Sequence, residues 1–164
     1  MEGRASRTAV LVCQGRAVAS GRLAPGHFHD DFAAALLTDD ERAAVDRARV
    51  DEPPAAPRER LSWERLRACA EGMVPRTVDI DDAVRRADHR QLVLLGSGLD
   101  TRPWRLHELG GTDVFAVDHP ASQEDCRRRA TGLTAVAARL EFVPVDLAVD
   151  PLGPALDRAG HDPT

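Results

Sequence analysis

A short apolar run that ends in a glycine turn constrains the fold of this chain more than any other feature. Residues 92–95 read Leu-Val-Leu-Leu, and Gly96-Ser97-Gly98 follows at once. Four consecutive apolar residues predict a strand covered on both faces, as in a parallel sheet between helices. The glycines let the backbone turn sharply and approach a ligand, and a helix predicted from Thr101 would point its first N–H groups into the same crevice. The pattern therefore predicts an α/β fold that binds a nucleotide.

Two further predicted strands end in carboxylates. Residues 112–118 end in Asp118, which lies 20 residues after Gly98, and residues 140–145 are followed by Asp146 and Leu147. A spacing of about 20 residues is typical of the acid that binds ribose hydroxyls in nucleotide-binding folds. Each acid could instead be a solvated strand end. Open α/β sheets bind ligands at the carboxyl ends of their strands, which favours ligand contact at both positions.

The first 90 residues predict helices and no strand. Thr38 and Glu41 form a capping-box pattern that starts a helix, and the proline-rich residues 51–57 interrupt it. Helical spacing resumes over residues 61–73. Pro75 is expected to end this helix, because proline cannot continue the hydrogen-bond ladder. Another short helix is expected over 78–87.

After the first strand, the predicted elements alternate between strands and helices. Helices are expected over residues 120–130 and 151–159, which gives right-handed βαβ units and a parallel sheet. We therefore divide the chain into a helical cap region, residues 1–90, and a partial nucleotide-binding domain, residues 91–164. A sheet of only three strands leaves a strand edge uncovered, so we expect the fold to be incomplete in this chain.

Composition excludes several classes of protein. A chain of 164 residues with a net charge of −5 is long enough to bury a core and lacks the basic balance of a nucleic-acid-binding protein. No apolar run approaches the length of a membrane span and no signal-peptide pattern is present, which predicts a cytoplasmic protein. The three cysteines are far apart and predict reduced thiols. The segment His27-Phe28-His29-Asp30-Asp31 predicts a structured turn in preference to a metal site.

Several motifs together resemble the leucine carboxyl methyltransferase family, and specifically its actinobacterial branch of S-adenosyl-L-methionine-dependent methyltransferases. The resemblance covers nearly the whole chain but only about the N-terminal half of a typical member. It implies a class I, Rossmann-like methyltransferase fold in which a helical N-terminal segment precedes the first three βα units. The motifs that carry it are Pro75-Arg76-Thr77, Asp81-Asp82, Gly96-Ser97-Gly98-Leu99-Asp100-Thr101-Arg102, Val117-Asp118-His119-Pro120 and Val145-Asp146-Leu147.

The resemblance also implies S-adenosyl-L-methionine as the cofactor and assigns its contacts. Arg76 would hold the methionyl carboxylate, although the residues alone favour a helix cap or a pair with Asp79. The methionine and ribose would lie over the glycine turn, Gly96, Ser97 and Gly98. Asp118 would accept hydrogen bonds from the ribose hydroxyls. The adenine would be bound by the pair Asp146 and Leu147. Family members often carry a further basic residue in the first helix, for which Arg16 is the available stand-in. No catalytic residue and no metal is implied.

The expected reaction is transfer of a methyl group to an oxygen of a protein or small molecule that carries a carboxyl or hydroxyl group. One alternative is an inactive fragment that binds the cofactor weakly. Another is an NAD-dependent oxidoreductase, because the acid at position 118 also suits the NAD ribose, although Thr101 replaces the third glycine of that fingerprint. Asp100 is expected to cap a helix and not to act as a catalytic acid.

Overall fold

A computed structural model describes residues 6–163. The chain divides into two compact units, Arg7–Val84 and the chain from Arg85 onward. The first unit is helical and the second is an α/β unit. The helices of the first unit are α1 (Arg7–Ala19), α2 (Asp31–Ala35), α3 (Asp39–Arg49) and α4 (Pro57–Arg86), the last of which ends two residues inside the second unit.

Helix α3 begins where the capping box predicts. The Thr38 hydroxyl accepts a hydrogen bond from the Glu41 N–H, and the Glu41 carboxylate accepts one from the Thr38 N–H. Two orphan donors at the start of the helix are thereby satisfied. The proline-rich residues 51–56 form an irregular connection before α4, as predicted.

The prediction that Pro75 ends a helix is wrong, and so is the prediction of a separate helix over 78–87. Helix α4 runs for 30 residues through Pro75, which is exposed. Its buried positions continue on one side of the helix past the proline. Burial of this uninterrupted stripe offsets the hydrogen bond that proline removes, so tertiary packing overrides the local preference. The buried residues of α4 are Leu66, Ala70, Val74, Thr77 and Asp81.

Helices α1 and α4 approach closely at Gly15. An added Cβ at Gly15 would lie 3.1 Å from the Cys69 Sγ and 3.3 Å from the Ala70 backbone nitrogen. The absence of a side chain therefore sets the distance between the two helices. Next to it, the buried Arg16 Nε lies 3.1 Å from an Asp30 carboxylate oxygen, while the other oxygen of Asp30 caps α2 by accepting the Ala33 N–H.

The second unit confirms the predicted α/β fold class. Its strands are β1 (Gln91–Leu95), β2 (Asp113–Asp118) and β3 (Arg139–Pro144), and they form a parallel sheet in the order β1-β2-β3. Between β1 and β2 the chain forms a four-residue helix, α5 (Arg102–Arg105), and a 3₁₀ helix, His107–Gly111, in place of one longer helix. The remaining helices are α6 (Pro120–Arg129) and α7 (Leu152–Ala159).

Both faces of the sheet are covered. On one face, α7 contributes Ala155 and Leu156 to a core whose strand and post-strand members are Phe115, Val117, Val143 and Val145. Side chains alternate between the faces of a strand, so Phe142 lies on the other face. There the Arg127 guanidinium of α6 lies 5.1 Å from the Phe142 ring centre, and Trp104 contacts the same ring. Helices on opposite faces of a parallel sheet give the doubly wound arrangement that the sequence predicts.

Candidate functional site

The carboxyl ends of the three strands lie at one edge of the sheet. Leu95 pairs with Val117, and Asp118 pairs with Pro144, so the glycine turn and the segment after β3 both lie at the end of β2. Open α/β sheets bind ligands at this edge. The register therefore brings three of the predicted site segments together: residues 96–98, Asp118 and residues 146–147.

The glycine turn adopts a backbone conformation that favours glycine. Gly96 has φ +63° and Gly98 has φ +51°, both in the left-handed region. The turn is tied to the neighbouring strand because the Ser97 N–H donates to the Val117 carbonyl at 3.0 Å. An added Cβ at Gly96 would meet no protein atom within 4 Å. The space next to Gly96 is thus open, and a ligand can approach the backbone there.

Asp118 contacts the glycine turn directly. One carboxylate oxygen accepts the Gly98 N–H at 2.6 Å, and the other accepts the N–H of His119 at 2.7 Å. The spacing of 20 residues between Gly98 and Asp118 therefore corresponds to a real contact. Each carboxylate oxygen can accept more than one hydrogen bond, so the half-buried Asp118 still has acceptor capacity for a pair of hydroxyl groups.

Asp146 and Leu147 form a turn directly after β3. The turn continues the sheet by one hydrogen bond, from the Val145 N–H to the Asp118 carbonyl at 2.9 Å. An Asp146 carboxylate oxygen accepts the Ala148 N–H at 3.0 Å, which fixes the side chain over its own turn. Leu147 is 48% exposed, so this apolar side chain is available to a ligand.

His119 is a site residue that the sequence reasoning did not assign. Its Nδ1 accepts the Ala121 N–H at 3.2 Å and so caps α6. The neutral ring must then carry its proton on Nε2, which lies 4.0 Å from an Asp146 carboxylate oxygen. That distance is too long for a direct hydrogen bond. The local signal was available, because Pro120 at the first helical position indicates that the residue before it caps the helix.

Asp100 lies one residue before the N-cap of α5, which is Thr101, and accepts a hydrogen bond from the first N–H of the helix. Its carboxylate accepts the Arg102 N–H at 2.9 Å and pairs with the Arg102 guanidinium at 2.5 Å. Thr101, the competing cap residue, makes no side-chain capping bond, and its hydroxyl accepts from Arg105 at 3.1 Å. Asp100 therefore stabilises the start of α5.

The remaining candidates lie in the helical unit. Arg76 is an exposed residue of α4, and within residues 6–163 its guanidinium has no hydrogen-bond or ion-pair partner, Asp79 included. Arg16 is engaged by Asp30, as described above. In the predicted turn, His29 Nδ1 lies 3.4 Å from an Asp31 carboxylate oxygen. Within the described part of the chain, no group of three or more His, Cys, Asp or Glu side chains could hold a metal ion.

Comparison with known proteins gives a consistent result. The profile of the family described as leucine carboxyl methyltransferase matches residues 9–164. A protein of Frankia alni, named "Putative S-adenosyl-L-methionine-dependent methyltransferase", is 37% identical over 95% of this chain and 53% of its own length. A protein of the same description from Mycobacterium tuberculosis is 39% identical over 94% of this chain and 51% of its own. The chain thus spans about half the length of the curated relatives it matches. Across residues 6–163, no helix is both long and apolar enough to cross a membrane.

Proposed function

Because this chain belongs to the leucine carboxyl methyltransferase family, we propose that its α/β unit binds S-adenosyl-L-methionine at the carboxyl edge of the sheet, for methyl transfer to an oxygen. The contact between the Gly98 N–H and the Asp118 carboxylate supports this proposal, since the acid that would bind the ribose lies against an open glycine turn. The relatives are named for dependence on the same cofactor.

The residues at the strand ends fit this cofactor. Asp118 would accept hydrogen bonds from the ribose hydroxyls. Asp146, together with the backbone of Leu147, would bind the adenine. Gly96, Ser97 and Gly98 would lie along the methionine and ribose. The carboxylates of Asp118 and Asp146 favour a ligand that presents hydroxyl, amino or cationic groups, as S-adenosylmethionine does with its ribose, adenine and sulfonium.

Arg76 is the proposed partner of the methionyl carboxylate. Its guanidinium is exposed and has no partner within residues 6–163, so binding an anion would break no existing contact. A guanidinium binds a carboxylate through two parallel hydrogen bonds, which suits the task.

The chemistry requires little of the protein beyond binding and alignment. When bound, the cofactor supplies a methyl group on a sulfonium, a leaving group already activated by its charge. Transfer to an acceptor oxygen would form a C–O bond and break the C–S bond, and the electron pair of the C–S bond would remain on sulfur. A carboxylate acceptor has no proton to remove, so transfer to it needs no general base, whereas a hydroxyl acceptor must lose one. The chain's residues would hold the donor in line with the acceptor. We assign no catalytic residue, and we propose a carboxyl or hydroxyl compound, or a protein carrying such a group, as the acceptor.

Calorimetric titration of the purified chain with S-adenosylmethionine, S-adenosylhomocysteine and NADH tests the proposal. We expect the two adenosyl ligands to bind and NADH not to bind. Asp118→Asn should weaken binding about tenfold or more, because hydrogen bonds to a charged group contribute about 1.5–3 kcal/mol. Asp113→Asn is the matched control, since Asp113 lies at the other end of the same strand. Tight NADH binding without adenosyl-ligand binding would overturn the proposal, as would equal effects of the two variants.

A further inference from the structure

Gln123, a residue of α6 that no role above uses, is buried against the glycine turn. It is 3% exposed, and its Nε2 donates to the Ala116 carbonyl at 2.7 Å. The same nitrogen lies 3.4 Å from the Ser97 hydroxyl oxygen. One amide group therefore connects the helix α6, the strand β2 and the turn between Gly96 and Gly98.

The orientation of this amide is fixed by its contact with the strand. Rotating the amide by half a turn would place Oε1 at 2.7 Å from the Ala116 carbonyl oxygen, where two acceptors would face each other without a proton. Nε2 must therefore face Ala116, and its second hydrogen is available to the Ser97 oxygen. In this arrangement, the Ser97 hydroxyl is an acceptor toward Gln123.

The remaining polar groups of Ser97 are already engaged. Its N–H donates to the Val117 carbonyl at 3.0 Å, and its carbonyl accepts the Asp100 N–H at 2.8 Å. The hydroxyl proton is what remains, and among residues 6–163 it has no acceptor. Since Ser97 is half-buried and lies between the two glycines of the open turn, this proton is available to a bound ligand.

The other end of the Gln123 side chain supports a functional interpretation. Oε1 is buried and has no hydrogen-bond partner in the described part of the chain. A buried acceptor without a partner costs stability, and such groups call for an explanation other than packing. An apolar side chain of the same length would avoid this cost but could donate neither to the Ala116 carbonyl nor to the Ser97 hydroxyl oxygen.

We propose that Gln123 is a positioning residue of the cofactor site, which holds the Ser97 hydroxyl so that it donates to an acceptor oxygen of the bound ligand. The inference rests on the proposed function, since the ligand is S-adenosylmethionine or its product. Gln123 acts only through Ser97 and does not touch the ligand itself.

A double-mutant cycle tests this coupling, with S-adenosylhomocysteine as the probe in calorimetric titrations of the full chain. Gln123→Met keeps the side-chain length and removes the donor, and Ser97→Ala removes the hydroxyl. We expect each single variant to weaken binding about three- to tenfold, and the double variant to bind no more weakly than Ser97→Ala alone. Ser122→Ala, at the neighbouring buried position, should leave the affinity unchanged.

The outcomes separate this inference from the proposed function. If the unchanged chain does not bind S-adenosylhomocysteine, both are overturned. If it binds but the two losses add in the double variant, Gln123 has a purely structural role and only this inference is overturned. Unchanged affinity in Ser97→Ala also overturns only this inference, and that variant can refute it even if Gln123→Met does not fold. Urea unfolding of the four proteins of the cycle gives the stability changes, so that a loss of affinity caused by partial unfolding is recognised as such.

Discussion

Substitution of Gly96 by alanine separates backbone strain from a clash with a ligand. Gly96 has φ +63°, where an L-residue costs about 1–2 kcal/mol. The smaller conformational freedom of alanine in the unfolded chain offsets part of this, so the net loss of stability should be about 1 kcal/mol. The added Cβ meets no protein atom within 4 Å, and hence no steric term adds to this loss. For a unit of this size, the melting temperature should fall by about 4–8 °C.

Binding should respond much more strongly than stability. A methyl group in the space proposed for the cofactor would overpack the complex by about 1–3 kcal/mol, which corresponds to a loss of affinity of about 5- to 150-fold. Gly132→Ala is the matched control, because Gly132 has φ +87°, also has no protein atom within 4 Å of an added Cβ, and lies in the turn after α6. Thermal unfolding by circular dichroism should show similar destabilisation of both variants. Calorimetry with S-adenosylhomocysteine should show weakened binding only in Gly96→Ala. If the two variants bind equally well, the ligand does not lie at this turn and the reasoning is refuted.

Two further predictions concern the helical unit. Gly15→Ala should destabilise it by about 1 kcal/mol, because the new Cβ would lie 3.3 Å from the fixed backbone nitrogen of Ala70. Gly72→Ala, in α4 with open surroundings, should instead stabilise the unit by about 0.5–1 kcal/mol. Urea unfolding measures both changes, and a loss of stability in Gly72→Ala would contradict this reasoning. Hydrogen bonds from Arg67 and then Arg22 lower the pKa of Asp51, so this carboxylate stabilises the folded state above its unfolded pKa of about 4, and the contribution disappears as the pH falls through the lower folded value. In urea unfolding from pH 7 to pH 3, Asp51→Asn should therefore be less stable than the unchanged chain at pH 7, with the difference shrinking toward pH 3; a constant difference would argue against the ion pairs.

Local patterns in the sequence predicted most of the elements correctly. The capping box at Thr38 fixes the start of α3 because both of its hydrogen bonds lie within four residues. The apolar runs at β1, β2 and β3 are short and are bounded by turn residues, so each strand is predicted to within about two residues. Pro75 is the exception. Proline disfavours the interior of a helix, but this free-energy cost is smaller than the stabilisation from burying one side of α4.

The candidate site was predictable in part. The acid at position 118 was found from its spacing to Gly98, because strand and turn lengths in a βαβ unit vary little. The contact of its carboxylate with the Gly98 N–H could not be read from the spacing, since it depends on the register of β1 against β2. Gln123 and Ser97 lie 26 residues apart, and no local pattern links them. The pairing of Arg16 with Asp30 likewise required the folded chain.

The sequence by itself determined that a helical region precedes alternating strands and helices, the parallel fold class and the residues at the strand ends, because these depend on hydrogen bonds and side-chain periodicity within a few residues. Only the tertiary structure decided which polar groups meet. It joined Asp118 to the glycine turn, placed Gln123 against Ser97 and carried α4 through Pro75. In each case, the deciding free energy comes from residues distant in the chain, and their meeting depends on strand register and helix packing.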